Sequence, residues 1–225
     1  MATSVPLTTI DGPSGSGKGT VGRAVARHAG WHHLDSGALY RLVALDGSER
    51  GLEPQDVKSH VQAALGLDVQ FDPEDERVLL RGRDVSERLR SEEVGAGASR
   101  VAAWPEVRDA LLARQRAFAR PPGLVADGRD MGTVVFPGAE LKIFLTASPA
   151  ERALRRHKQL KDKGSGVSLP ALSREIAERD ARDAMRAVAP LKPAPDAHVI
   201  DSTDLTVEEV VGRVLALGRA RSLWA

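Results

Sequence analysis

The sequence predicts an α/β fold in which a parallel five-stranded sheet is flanked by helices, and three observations carry that prediction. Short apolar runs alternate with amphipathic stretches of helical period, the order produced by successive βα units. The first run, Val5 to Ile10, opens directly into Gly12-Pro13-Ser14-Gly15-Ser16-Gly17-Lys18-Gly19-Thr20 and then into a helical pattern. The connection from Ser36 to Pro122 is several times the dozen or so residues that a parallel crossover needs, so it must carry an insertion.

The strand, glycine-rich loop, lysine and helix read as a phosphate-binding P-loop. Its glycines let backbone N–H groups turn inward around a polyphosphate, the helix N-terminus adds its positive dipole end, and Lys18 brings a mobile cation. A flexible Gly/Ser turn would not account for the four parts appearing in order. Residues Gly12 to Thr20 are therefore the ATP-binding candidates. Gly19 stands where the general pattern has Ser or Thr, so no protein ligand to Mg²⁺ is named and the ion is left to phosphate oxygens and water.

Along the chain, Val5 to Ile10, Trp31 to Asp35, Gly123 to Asp127, Leu141 to Thr146 and Ala197 to Asp201 read as the five strands. The first helix, Lys18 to Ala29, places Val21, Ala24, Val25 and His28 on one stripe, with His28 expected to pack and Gly30 to end the helix. Ser148-Pro149-Ala150-Glu151 combines a capping serine, a proline at the first helical position and a glutamate three residues on. Thr206 and Glu209 form a second capping box, before a helix expected to bury Val207, Val210, Val211 and Val214. Pro190, Pro193 and Pro195 stiffen the approach to the last strand.

Within the 36–122 insert, Leu67 to Phe71 and Arg77 to Val85 read as strands about the acidic turn Pro73-Glu74-Asp75-Glu76, forming a small antiparallel sheet. Pro105 to Arg120 reads as a helix closed by Pro121-Pro122. Arg108 falls in its first turn, where the dipole disfavours a cation by ~0.3–1 kcal/mol. A ligand contact would explain that local violation.

Two strand ends point chemistry toward the P-loop edge of the sheet, where open parallel sheets bind ligands. Leu34-Asp35-Ser36-Gly37-Ala38-Leu39-Tyr40-Arg41 offers Ser36 at a helix start, with Tyr40 one turn later. Ala126-Asp127-Gly128-Arg129-Asp130 ends a strand in an Arg-Asp pair. An ordinary cap and a surface ion pair are the plain alternatives. Further on, the Gly-rich hinge Lys163-Gly164-Ser165-Gly166 precedes Arg179, Arg182, Asp183 and Arg186, spaced to share one helical face. That is the layout of a mobile lid over phosphates, spanning 155–187. Glu175 and Glu178 equally suit salt bridges to Arg179 and Arg182.

Composition narrows the class. The chain has 225 residues, enough for one domain with insertions, and no cysteine, which excludes disulfide and thiol chemistry. A net charge of +1 argues against a general nucleic-acid surface. No apolar stretch approaches a membrane span and no signal-peptide pattern precedes the first strand, so a soluble cytoplasmic protein is expected.

Taken together, the P-loop, Leu34–Arg41, Ala126-Asp127-Gly128-Arg129-Asp130-Met131-Gly132-Thr133 and Glu178-Arg179-Asp180-Ala181-Arg182-Asp183 resemble the bacterial cytidylate kinases, in order over essentially the whole chain. The resemblance implies a single P-loop kinase domain over 1–225, with a nucleoside-monophosphate-binding insert and a lid. It implies ATP and CMP, with dCMP beside it, as substrates, Mg²⁺ carried with ATP, and a monomer without nucleic-acid or membrane partners. It also implies site roles. Ser99, Arg108 and Asp130 would face cytosine, and Arg179 and Asp183 the ribose. Ser14, Ser36, Tyr40, Arg41 and Arg129 would line the acceptor nucleotide, while Lys18, Arg129, Arg182 and Arg186 would be the catalytic cations. The stretch Asp46 to Val57 is shorter than the family pattern leads one to expect.

The chemistry agrees. A nucleoside monophosphate is mostly dianionic at neutral pH because its second phosphate pKa is ~6, so the nucleophile needs no base. The barrier is repulsion between two anions, which clamping cations relieve. A hydroxyl-directed kinase of the shikimate type, or a kinase of UMP or another nucleotide, is the alternative, and Asp127 or Asp35 would be a base for a hydroxyl. A GTP switch with an Asn-Lys-x-Asp block is excluded because the chain has no Asn. A nucleic-acid-dependent ATPase lacks the basic surface it would need.

Overall fold

Thr8, Thr9 and Ile10 are β-branched and fully buried in the first strand, the burial expected of a central strand covered on both faces. The computed structural model describes residues 5–72, 77–162, 166–186 and 188–224. In chain order, β1 (Leu7–Asp11) leads to α1 (Lys18–Ala29), β2 (His32–Asp35) and α2 (Ser36–Glu49). Then come α3 (Val57–Leu65), β3 (Val69–Asp72), β4 (Arg77–Leu80), β5 (Arg83–Asp84), α4 (Ser86–Leu89), α5 (Glu92–Val101) and α6 (Pro105–Arg116). After them follow β6 (Leu124–Gly128), a π-helical turn (Met131–Val135), β7 (Leu141–Thr146), α7 (Pro149–Lys161), α8 (Leu169–Met185), β8 (His198–Asp201) and α9 (Val207–Arg219).

These elements fall into two compact units, Met1–Asp35 with Arg116–Ala225, and Ser36–Gln115. In the first, five parallel strands run in the order β2-β6-β1-β7-β8. The register sets Asp35 opposite Asp127 and Asp11 opposite Gly128, so the carboxyl ends of three neighbouring strands bring acidic groups to one sheet edge. Ile10, Val125, Leu145 and Val214 are fully buried between the sheet and helices α1 and α9. At ~25 cal/mol per Å² of apolar surface, each such side chain contributes roughly 1.5–3 kcal/mol. The core therefore fixes the strand ends that position the site.

The parallel α/β fold is as the sequence predicts, with strand limits shifted by a residue or two. Leu141–Thr146 and Lys18–Ala29 coincide with the expected spans. Gly30 closes α1 in the left-handed region at φ 67°. The buried stripe of α1 is rotated, however, to Val21, Gly22, Val25 and Ala26, and His28 is exposed. The cause lies at Gly22, where a side chain would come within 3.0 Å of His33 Nε2, so that face can approach β2 closely. His28 is left in the last turn, near the negative end of the helix dipole. In α9, Val210 and Val214 are buried while Val207, in the first turn, is 42% exposed.

In the second unit, β3, β4 and β5 form an antiparallel sheet. The expected strand Arg77 to Val85 is instead a hairpin, turned at Arg81 and Gly82 with φ 49° and 74°. Both residues adopt the left-handed geometry that two-residue hairpin loops require. Arg81 is held there by Asp46 at 2.8 Å and Glu49 at 2.6 Å. The acidic turn Pro73 to Glu76 lies outside the described residues. Helix α6 ends at Arg116, short of Arg120. Leu39, Leu42, Val43, Val107 and Leu111 are fully buried in this unit.

Capping is as the sequence predicts. The Ser148 hydroxyl accepts from Glu151 N at 3.2 Å, and Thr206 and Glu209 bond reciprocally at 3.2 and 2.8 Å. Removing the Thr206 hydroxyl strands one helix donor. Thr206→Ala is expected to lower unfolding stability by about 1 kcal/mol, a fall in Tm of roughly 2–4 °C for a chain of this size. Urea and thermal unfolding check it.

Candidate active site

The phosphate loop begins where β1 leaves the sheet. Gly12 is obligatory by contact, since a Cβ there would sit 2.0 Å from the Leu145 carbonyl oxygen. Its N–H donates to the Gly128 carbonyl at 3.2 Å, tying the loop to the end of β6. Lys18 opens α1, half-buried, and its ammonium donates to the Pro13 carbonyl at 3.1 Å, across the loop. Burial, with the nearby charges of Arg129 and Arg179, pushes its pKa down to about 7 against the opposing pull of Asp127 and Asp35. Ser16 Oγ is buried without a hydrogen-bond partner. A Cβ on Gly19 would lie 3.9 Å from both Asp127 carboxylate oxygens, so an acid stands beside the place where the general motif has a hydroxyl.

For Arg129, at the end of β6, a surface ion pair with Asp130 is the plain alternative to a binding role. Arg129 pairs with Asp183 instead, Nε to Oδ2 at 2.7 Å, and donates through Nη1 to the Gly12 carbonyl at 2.9 Å. Adjacent side chains at a strand end project in different directions, and Asp183 on α8 supplies the better geometry. Arg186 approaches the other Asp183 oxygen at 3.8 Å. Burial works to raise the Asp183 carboxyl, but Arg129, Arg186 and Arg179 together hold it below the ordinary carboxylate value. Arg179, Asp183 and Arg186 thus gather near the loop, whereas Arg182 is more exposed and lies 3.9 Å from Glu178. Asp130 is buried at the start of the π-helical turn.

The remaining sequence-derived candidates lie in the second unit. Ser36 and Tyr40 are buried on α2, one turn apart, and Ser99 is buried on α5. Arg41 donates to the Leu89 carbonyl at 2.8 Å and the Ser91 carbonyl at 3.3 Å, over a face of α5 kept open by Gly95. Arg108 is buried, lies 5.6 Å from the Tyr40 ring centroid and donates to the Ala102 carbonyl at 3.1 Å. The ring's negative face and a neighbouring carbonyl both favour a cation at this position in the first turn of α6.

Sequence reasoning missed three groups. Asp11 accepts from Met131 N at 2.8 Å and Gly132 N at 2.7 Å. Burial raises its pKa to about 7 in spite of those bonds, with Asp130 adding to the rise and Lys18 opposing it. An acid ending a buried apolar strand was the available signal. His33 Nε2 lies 2.9 Å from Asp127 Oδ2, and Arg152 on α7 reaches both the loop and α8. Neither pairing leaves a mark in local sequence.

A lysine-bearing phosphate loop between the central strand and its helix, ringed by arginines from β6 and α8, defines a P-loop kinase. The cytidylate kinase family profile matches residues 8–220, and the chain belongs to that family. It is 58% identical to a cytidylate kinase of Pseudomonas fluorescens over 220 residues, covering 96% of each chain. It is 56% identical to a cytidylate kinase of Nitrosococcus oceani over 219 residues, again covering 96% of each. A solved gluconokinase of Sinorhizobium meliloti superposes with a TM-score of 0.48 at 20% identity, covering 97% of this chain and 93% of the other.

The depressed Lys18 pKa gives a direct test of the loop. Above its value the free ammonium is largely neutral, and polyphosphate oxygens placed against it favour the charged form. Binding of a nucleoside triphosphate at about pH 8 is therefore expected to take up close to one proton. Titration calorimetry in buffers of different ionisation enthalpy reads that uptake, and Lys18→Met should abolish it.

Proposed function

We propose that this protein phosphorylates CMP, and dCMP with it, at the expense of ATP, by in-line transfer of the γ-phosphoryl group. Membership of the family over residues 8–220 supports the reading, together with a loop lysine flanked by Arg129 and Arg179. The CMP phosphate attacks as a dianion, so the chain's task is to hold two anions in line and balance their charge. Lys18, Arg129, Arg182 and Arg186 supply the cations, and Gly12 to Thr20 bind ATP. Ser14, Ser36, Tyr40 and Arg41 take the acceptor phosphate side, Arg179 and Asp183 the ribose, and Ser99, Arg108 and Asp130 the base. Segment 155–187 is read as a lid. Its connection Lys163 to Ser165 lies outside the described residues.

The donor set suits Mg²⁺ that arrives with ATP. No cluster of three His, Cys, Asp or Glu able to hold a metal occurs among the described residues. Two carboxylates, Asp35 and Asp127, are paired in register on adjacent strands beside Lys18. Mg²⁺ is commonly held by one or two carboxylates plus phosphate oxygens and water, so these are the residues that would hold it. When bound it neutralises part of the triphosphate charge. We read the enzyme as a cytoplasmic monomer with small-molecule substrates, and among the described residues no helix is long and apolar enough to cross a membrane.

Cytosine presents an N4 donor beside N3 and O2 acceptors. A carboxylate at Asp130 accepts from N4, and Arg108 donates to the ring acceptors. Uracil O4 would set lone pairs against Asp130, and a site built for one hydrogen-bonding group rejects its opposite. A coupled assay offering ATP with CMP, dCMP, UMP, AMP or shikimate is expected to give the highest kcat/KM for CMP and dCMP; preference for AMP or shikimate would reject the assignment. Asp130→Ala should lower kcat/KM for CMP by ~10²-fold or more and that for UMP far less. Lys18→Met should abolish transfer to both acceptors alike. Equal losses with Asp130→Ala would remove it from base recognition.

A further inference from the structure

Arg152 occupies the first turn of α7, where a cation is disfavoured by the dipole, yet it is only 3% exposed. Four of its donor bonds account for that burial. Nε donates to the Ala147 carbonyl at 3.0 Å, and Nη1 to the Ser14 carbonyl at 3.1 Å. Nη1 and Nη2 also grip both oxygens of Asp180, at 3.1 and 2.5 Å. A Cβ on Gly15 would sit 3.0 Å from both the Cβ and the carbonyl oxygen of Arg152, so the loop is pressed directly onto this residue.

Asp180 and Asp183 stand three residues apart on α8. Each holds an arginine, and each arginine binds a carbonyl of the phosphate loop: Arg129 that of Gly12, and Arg152 that of Ser14. The two clamps differ in consequence. The Gly12 carbonyl belongs to a peptide with proline, which has no N–H. The Ser14 carbonyl belongs to the Ser14–Gly15 peptide, and in a planar trans peptide the N–H points opposite to the C=O. Binding the Ser14 oxygen from the α7 side therefore turns the Gly15 N–H the other way, into the loop.

We propose that Arg152 is a positioning residue for phosphoryl transfer, fixing the Ser14–Gly15 peptide so that the Gly15 N–H faces the bound polyphosphate, with Asp180 holding the guanidinium in place. The proposal rests on the reading of this loop as the ATP site. Arg152 touches no substrate. Its effect is to orient a backbone donor, and to make the seating of α8, which carries Arg179, depend on the same contact that shapes the loop.

The test separates positioning from stability. Arg152→Met leaves Asp180 unpaired and should lower both Tm and kcat, kcat by ~10–100-fold, as loss of a preorganised donor does. Combining it with Asp180→Leu replaces the pair, buried at Arg152 and half-buried at Asp180, by apolar groups, a change that commonly restores stability. Tm is expected to recover in the double variant while kcat stays low and equilibrium affinity for ATP stays weakened; KM for CMP should change little. Recovery of kcat together with Tm would overturn the proposal, as would unchanged kcat in Arg152→Met. If Arg152→Met does not accumulate as folded protein, Asp180→Asn and Arg152→Lys are read in the same way. Reduced kcat per folded molecule supports positioning, and lowered Tm with full kcat overturns it. ATP affinity is read without an acceptor, so failure of the wild-type protein to use CMP would count against the proposed function and leave this result distinct.

Discussion

The first unit is organised around one glycine-rich loop whose Gly12 and Ser14 carbonyls are each held by an arginine, while the Pro13 carbonyl accepts from Lys18. A loop of this composition has many conformations in isolation, and each fixed residue costs ~1–2 kcal/mol of backbone entropy. Here the cost is met by tertiary contacts. Gly12 N–H is tied to the end of β6, the Gly12 and Ser14 carbonyls to Arg129 and Arg152, and those arginines to Asp183 and Asp180 of one helix. The sheet core beneath is the rigid base from which these partners project.

The charge balance around the loop is set for a ligand. Lys18 and Asp11 both have pKa values of about 7, displaced in opposite directions mainly by burial. The signs follow from linkage. A carboxyl raised in the folded state lets the folded protein bind more protons than the unfolded chain between about pH 4 and 7, so stability from Asp11 falls as pH rises through that window. A lysine depressed in the folded state reverses the inequality above pH 7, so stability from Lys18 rises from there toward its ordinary value. The Asp11 cost is complete above that window and the Lys18 cost below pH 7, so their sum is greatest near neutrality. A polyphosphate relieves the Lys18 cost, so stability given up in the free protein reappears as differential binding.

In the second unit, backbone carbonyls and an aromatic ring also hold guanidinium groups. Arg108 lies against the Tyr40 ring and donates to the Ala102 carbonyl, and Arg41 donates to the Leu89 carbonyl. Carbonyl oxygens satisfy guanidinium donors and fix the direction in which each group points. Two acidic residues of this unit serve its local structure. Glu49 gathers Arg81 and Arg88 at the hairpin and α4, and Asp56 caps α3 through Ser59 N at 3.0 Å.

The sequence by itself determined what depends on neighbours along the chain. Alternation of apolar runs specified five parallel strands, glycine spacing with Lys18 specified the phosphate loop, and Ser148 and Thr206 specified helix starts, because each signal acts within one turn or one strand. It also misread some faces. His28 lies on the helical period, but the contact between Gly22 and His33 rotated the buried stripe away from it. The tertiary structure alone decided which charges meet. Arg129 passed over its sequence neighbour for Asp183, 54 residues away. Arg152 found Asp180, 28 residues away, and His33 found Asp127, 94 residues away. Ionic and hydrogen-bonded partners are chosen by distance and dielectric in space. Only the packed sheet and helices set those distances.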